Sequence, residues 1–242
     1  MKKTAGIPVL CLLFSLLLSF FSLLAASSTG TTSAETLTYR EVEGDLAVTH
    51  TLAITPVAPG YAVELASLGS DGRAVRQTFR TAADLSTLAW TFSDPARQME
   101  LAAAVQGDEI VLSGSFNGKK VDKRFPASGA PWNQLFQMGL VPFALSGEES
   151  RQFRSIGTQG PGELKIGKFT VTRKDWEKIL LAGKEVETIH LRISLSGLLS
   201  IFWHGDYWFR KNDGRFLRYR GKNRPGGPVA VSELLQEKAN EN

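Results

Sequence analysis

The run EVETIHLRISL, residues 185–195, decides the fold class. Ile189, Leu191, Ile193 and Leu195 fall on one face of an extended chain, and Thr188, His190, Arg192 and Ser194 on the other. Side chains alternate with period two along a strand, so this run is a half-buried β-strand. Gly197 ends it, and a second strand begins near Ser200. Seven aromatics follow between residues 202 and 219: Phe202, Trp203, Tyr207, Trp208, Phe209, Phe216 and Tyr219. Between Arg210 and Arg215 lies Lys211-Asn212-Asp213-Gly214. Asn and Asp tolerate the left-handed region and Gly occupies it freely, so these residues form a hairpin turn. A simple register sets Phe209 opposite Phe216 and Trp208 opposite Leu217. Basic residues thread the same hairpin: Arg210, Lys211, Arg215, Arg218, Arg220, Lys222 and Arg224.

The alternation extends upstream. Leu37 to Glu43 is a strand, Gly44-Asp45 a tight turn, and Leu46, Val48, His50, Leu52 and Ile54 share one face of the next strand. Tyr61, Val63 and Leu65 continue the pattern, as do Arg73 to Arg80, Leu88 to Phe92, Met99 to Val105 and Ile110 to Phe116. Asn117-Gly118 is the strongest hairpin signal, with Val121 and Phe125 on the return strand. Pro131 to Met138 then reads as a short helix, with proline in its first turn and Gly139 as its C-cap. Val141 to Leu145 is an apolar tether, and Ser146 to Gly162 reads as loop. Strands resume around Lys168 to Arg173. Val229 to Lys238 reads as a frayed helix or a tail. Ten to twelve short strands at this spacing predict a mostly β, antiparallel fold: a curved sheet, open barrel or sandwich with one short helix.

The N-terminus carries Lys2 and Lys3, an uncharged run from Ile7 to Ala26, and the small polar stretch SSTGTTSA, residues 27–34. This is the layout of a secretory signal peptide, with cleavage expected before Glu35. Cleavage after Ala26 or Ser28, and retention as an anchor, are the alternatives. The domain reading is a signal peptide over 1–34, one β domain over 35–226, and a tail or short helix over 227–242. No later run is apolar and long enough to cross a membrane as a helix. The single cysteine, Cys11, lies in the leader, so the mature chain has no disulfide, thiolate nucleophile or cysteine zinc site. Without residues 1–34 the chain keeps 26 basic and 24 acidic residues, a balance near +2 that gives nucleic acid no purchase. Export without disulfides points to a bacterial periplasm.

No hydrolase elbow, zinc-protease motif, P-loop or dinucleotide fingerprint is present. His204 and Asp206 lie two apart and could share a strand face as a base–orienter or metal pair, but Gly205 between them can bulge the strand. His50, among apolar residues, reads as a core histidine satisfied by one hydrogen bond, and His190 as exposed beside Arg192. The candidate ligand-binding residues are therefore those of the aromatic–basic hairpin: Trp203, His204, Asp206, Tyr207, Trp208, Arg210 and Arg218. No catalytic residue, metal ligand or cofactor is assigned. The bland alternative puts half of these aromatics in the core and spreads the arginine stems along its edge.

The segments Gly183 to Thr188, Asp206-Tyr207-Trp208-Phe209 and Asp213 to Gly221 resemble a class of exported bacterial proteins of unknown function. Pro131 to Gln134 and Pro142 to Ser146 are similar to the middle region of that class. The resemblance spans most of Leu37 to Gly221 and is loosely similar to curved-sheet carriers of lipoproteins and lipids. That class has no established activity and lends no catalytic residue; export, the alternating strands and the aromatic–arginine hairpin lead instead to the expectation of a non-catalytic envelope protein that binds an apolar or amphipathic ligand, such as a lipid, on the concave face of its sheet. A protein-interaction module of the envelope is the alternative, and a hydrolase of envelope glycans or lipids a third.

Overall fold

The computed structural model of the chain describes residues 33–158, 163–197, 203–223 and 226–239. Most of the expected signal peptide (residues 1–32), Arg224 and the start of the strand expected near Ser200 lie outside the described residues.

Eight strands follow one another from the start of the described chain: β1 (Glu35–Glu43), β2 (Leu46–Val57), β3 (Gly60–Gly69), β4 (Ala74–Thr81), β5 (Thr87–Asp94), β6 (Met99–Gln106), β7 (Glu109–Phe116) and β8 (Lys119–Pro126). A crossover then carries two helical turns, α1 (Phe136–Gly139) and α2 (Val141–Leu145). Six further strands follow among the described residues: β9 (Ser150–Thr158), β10 (Leu164–Leu181), β11 (Lys184–Leu195), β12 (His204–Arg210), β13 (Phe216–Lys222) and β14 (Val229–Ala239). All fourteen strands form one sheet in the order β8-β7-β6-β5-β4-β3-β2-β1-β14-β13-β12-β11-β10-β9. Every neighbouring pair is antiparallel. The chain therefore starts in the middle of the sheet, meanders to one edge, crosses to the opposite edge, and meanders back until β14 pairs with β1.

The expected curved, mostly β fold with one short helical segment is the one observed. Asn117 and Gly118 have φ of 51° and 74°, the two positive values that a type I′ hairpin needs. Four local expectations are corrected. Pro131 to Gln134 is extended rather than helical, because its backbone pairs with β9: the Asn133 amide donates to the Arg154 carbonyl at 2.9 Å and the Arg154 amide to the Pro131 carbonyl at 2.8 Å. Helix begins only at Phe136 and, after Leu140, continues through the segment read as a tether. Ser150 to Thr158, read as loop, is strand β9. Val229 to Ala239 is strand, paired on both sides, because only there do its apolar residues reach the core between β1 and β13.

Curvature follows from what faces the interior. Gln77 of β4 and Ser155 of β9 sit far apart in the sheet order yet line one cavity. The two edges approach without pairing as strands. Arg154, only 7% exposed, donates to the carbonyls of Pro126 at 2.6 Å, Ala127 at 2.7 Å and Ala130 at 2.7 Å. Lys123 of β8 reaches the Leu164 carbonyl at 2.9 Å. The outer edge of β9 is further covered by Gln134, whose side-chain amide donates to the Ile156 carbonyl and accepts from the Ile156 amide, both at 2.9 Å. An open edge is a template for aggregation, and these contacts remove it.

The helical turns lie against the inner face. Phe143 is fully buried, and the Phe136 ring meets Phe153 edge-on at 5.1 Å and Phe169 at 5.8 Å. Arg173 caps the end of α2 by donating to the carbonyls of Phe143 and Ala144, both at 3.1 Å.

Candidate ligand cavity

Strand register lays the inner face out in rows. Leu37, Leu52 and Leu65 form one row across β1, β2 and β3, and Tyr39, His50 and Ser67 form the next. One step further, Glu41 of β1 is level with Ser232 of β14, Tyr219 of β13 and Tyr207 of β12. Along one face, then, the wall passes from leucine to polar side chains. It encloses a cavity of about 580 Å³, whose apolar lining also includes Phe136, Ile156, Phe169 and Trp203. A volume of this size lies within the range of small-molecule sites. A second cavity of about 220 Å³ adjoins it behind Tyr39 and Phe216. The Tyr39 hydroxyl donates to the Phe216 carbonyl at 3.1 Å. Burial pushes the Tyr39 hydroxyl well above its ordinary pKa, so it acts there as a neutral donor.

The polar end is connected. His50 Nδ1 and Ser67 Oγ are 2.8 Å apart, and His50 Nε2 lies 3.7 Å from Glu41. Asn223 donates to Glu41 at 2.8 Å and to Glu43 at 3.0 Å. Burial pulls the Glu41 pKa upward, but the hydrogen bond and charge of His50 and the bond from Asn223 outweigh it and hold the carboxyl below its usual range. Burial, and then the charge of Glu41, raise the Tyr219 hydroxyl. In Tyr207, burial leads and Tyr219 and Glu41 add to it. Gly205 and Gly221 are cross-strand partners beneath the Tyr219 ring. A Cβ on Gly205 would fall 2.7 Å from that ring and one on Gly221 2.5 Å from its hydroxyl, so the two glycines give Tyr219 its position.

Alternation divides the seven hairpin residues between two faces. Trp203 and Tyr207 line the cavity. Asp206, Trp208, Arg210 and Arg218 lie on the opposite face, and His204 is exposed at the start of β12. Asp206 bonds His190 at 2.9 Å and Arg192 at 2.8 Å rather than pairing with His204. Burial pulls its pKa up, but these two partners prevail and lower it to about 2. His190 is half-buried, not exposed, and stacks on Trp208 at 4.8 Å. Four of the hairpin's basic residues are engaged by carboxylates of the fold: Arg210 by Asp213 and Glu237, Lys211 by Glu187, Arg215 by Glu35, and Arg218 by Glu233. Phe209 faces Phe216 as expected, but a bulge puts Arg218, not Leu217, opposite Trp208 and leaves Leu217 fully buried.

The expected hydrogen bond of His50 is present, but the ring lines the cavity as well. Glu41, Ser67 and Asn223 were not singled out from the sequence. Glu41 had a readable signal, a carboxylate in phase with Leu37 and Tyr39 on the inward face. Among the described residues no group of three or more His, Cys, Asp and Glu side chains is placed to hold a metal, and no helix is long and apolar enough to cross a membrane.

No family model and no curated protein matches the chain. Solved structures do match. One is the hypothetical lipoprotein YmcC from Escherichia coli (K12), at 11% identity and a TM-score of 0.38, covering 84% of this chain and 86% of that one. Another is a LolA superfamily protein from Nitrosomonas europaea, at 10% identity and a TM-score of 0.26, covering 88% of each chain. At these scores neither likeness carries an argument about what this chain binds.

Proposed function

We propose that this protein is an exported, non-catalytic binding protein of the bacterial envelope that holds an amphipathic molecule in its interior cavity. One observation carries the reading: the inward rows change from leucine to Glu41, His50 and Ser67 along a single wall. An apolar tail lies against Leu52, Leu65, Phe136 and Phe169, and a polar head lies among Glu41, His50, Ser67 and Asn223. The signal-peptide layout of residues 1–34 supports delivery to the periplasm. Of the hairpin candidates, Trp203 and Tyr207 contribute to this site. A hydrolase built on His204 and Asp206 has little support, since neither lines the cavity.

Native mass spectrometry of the protein purified gently from its host's periplasm tests the reading. The expected result is an adduct that disappears on denaturation. Leu65→Trp, which fills the middle of the cavity, loses that adduct while the fold persists by circular dichroism. A bare mass from the host, together with no uptake of any single-chain amphiphile in vitro, refutes the reading.

A further inference from the structure

The two cavities lie end to end along the inner face. On β1, Glu41 lines the larger one, Tyr39 lines both, and Leu37 and Glu35 line the smaller. On β2 the same succession runs through His50, Leu52 and Ile54. A tail whose head lies at the Glu41 end therefore points at Tyr39. A wall stands there. Tyr39 and Phe216 are each 2% exposed, their ring centroids are 5.3 Å apart, and the Tyr39 hydroxyl donates to the Phe216 carbonyl at 3.1 Å. The Phe209 ring backs Phe216 edge-on at 5.7 Å. Pushing Tyr39 aside would leave that carbonyl buried without its donor, a loss of roughly five- to a hundredfold, and would break the ring contact as well. One added methylene on the tail returns only about fourfold. Behind the wall, the cavity of about 220 Å³ is flanked by Leu37, Ile54, Leu85 and Val141. It ends at Glu35 and Arg215, which pair at 2.6 Å.

Taking the larger cavity as the ligand site, we infer that Tyr39 is a specificity-determining residue: it stops the tail of a single-chain amphiphile and so sets the longest chain that gains from burial. The smaller cavity is the room that Tyr39 denies to the tail. Each inward row along β1 is about 7 Å from the next, so opening the wall admits a tail longer by at least about two carbons.

A series of alkyl maltosides from octyl to hexadecyl, each below its micelle concentration, tests this. Binding to the purified protein is followed by tryptophan fluorescence and confirmed by calorimetry. In the wild type, affinity is expected to rise about fourfold per methylene and then level off, because further methylenes stay in water. Tyr39→Leu, which removes the ring, moves the levelling point to a longer chain. Adding Leu85→Trp, which fills the smaller cavity from the loop between β4 and β5, moves it back. Phe216→Leu opens the same wall from its other side and serves if Tyr39→Leu does not fold by circular dichroism; the wild-type profile needs neither variant. Affinity that climbs without a break to hexadecyl in the wild type, or a levelling point that stays in place in a folded wall variant, overturns the role of Tyr39 and leaves the larger cavity a ligand site. A levelling point that ignores Leu85→Trp in the double variant overturns the assignment of the smaller cavity as the added room. Failure of the whole series to bind overturns the cavity reading itself, and the inference with it.

Discussion

Replacing Arg154 with leucine removes the most buried of the ties between the two edges of the sheet. The guanidinium donates to three carbonyls, those of Pro126, Ala127 and Ala130, from a side chain that is almost fully buried. Hydrogen bonds from a charged donor contribute about 1.5–3 kcal/mol each. The three are not independent, and carbonyls on the crossover can turn partly to water. The loss is therefore about 3–5 kcal/mol, as for breaking other buried charged contacts. That is a large share of the 5–15 kcal/mol or so typical of a folded domain. With a urea slope of about 2–3 kcal/mol/M, the unfolding midpoint falls by roughly 1.5 M. Urea titration followed by tryptophan fluorescence is apt, since Trp132 sits on the segment that pairs with β9. Arg154→Lys recovers less than half of the loss, because one ammonium cannot reach three carbonyls with a fork's geometry. A midpoint shift below about 0.5 M for Arg154→Leu, with unchanged slope, means that the carbonyls find other donors. The account of edge closure then fails.

Asp206 contributes to stability in a pH-dependent way. Its folded pKa, about 2, lies below its ordinary carboxylate value, so the contribution is present above pH 4 or so and is lost as pH falls through the folded value. Between pH 7 and pH 2, wild type should lose about 2 kcal/mol more than Asp206→Asn in urea titrations, and equal losses would show that the pair contributes nothing. Tyr39→Phe removes the donor to the Phe216 carbonyl and should cost about 1–2 kcal/mol in thermal or urea unfolding. A neutral result would mean that water replaces the hydroxyl from the adjoining cavity. Gly205→Val drives a side chain into the Tyr219 ring and should destabilise by about 1–3 kcal/mol and lower the retained adduct. Full adduct retention would place the ligand away from Tyr219.

Much of the sheet is legible in the sequence because the first eight strands obey simple alternation, with Gly and Asn at the turns. Strand β9 was not, for a physical reason. Phe153, Arg154, Ser155 and Ile156 are buried in succession, because one face meets the interior and the other is covered by residues 131–134. Period two vanishes when both faces are covered. Strand β14 was hidden by a bulge. Tyr39 pairs with Leu234 and Thr38 with Gln236, so Leu235 drops out of phase and is 59% exposed. Its Glu, Gln and Lys residues suit a helix locally, and pairing on both sides overrides that preference. The hairpin misled in another way. Its density of arginine suggested a surface waiting for a partner, yet apart from Asp213 in the turn itself the carboxylates that engage it sit at positions 35, 187, 233 and 237. Only the fold brings such distant charges together. Glu41 and His50 were visible as residues on inward faces, but their meeting with Asn223 depended on a strand order that no local pattern encodes.

The seam between β1 and β14 also sets a chronology. A chain emerging N-terminus first can assemble β1 to β8 as one meander, and later β9 to β13 as another. Neither half has its neighbour at the seam until the last strand arrives. The Glu41–Ser232–Tyr219 row, and with it the polar end of the cavity, forms only at that moment. Local hairpins close quickly, whereas joining strands at opposite ends of the chain carries a large loop entropy and is slow. If the proposed ligand occupies this cavity, its capture belongs to the final step of folding, and a ligand that bridges the seam would hasten the completion of its own binding site.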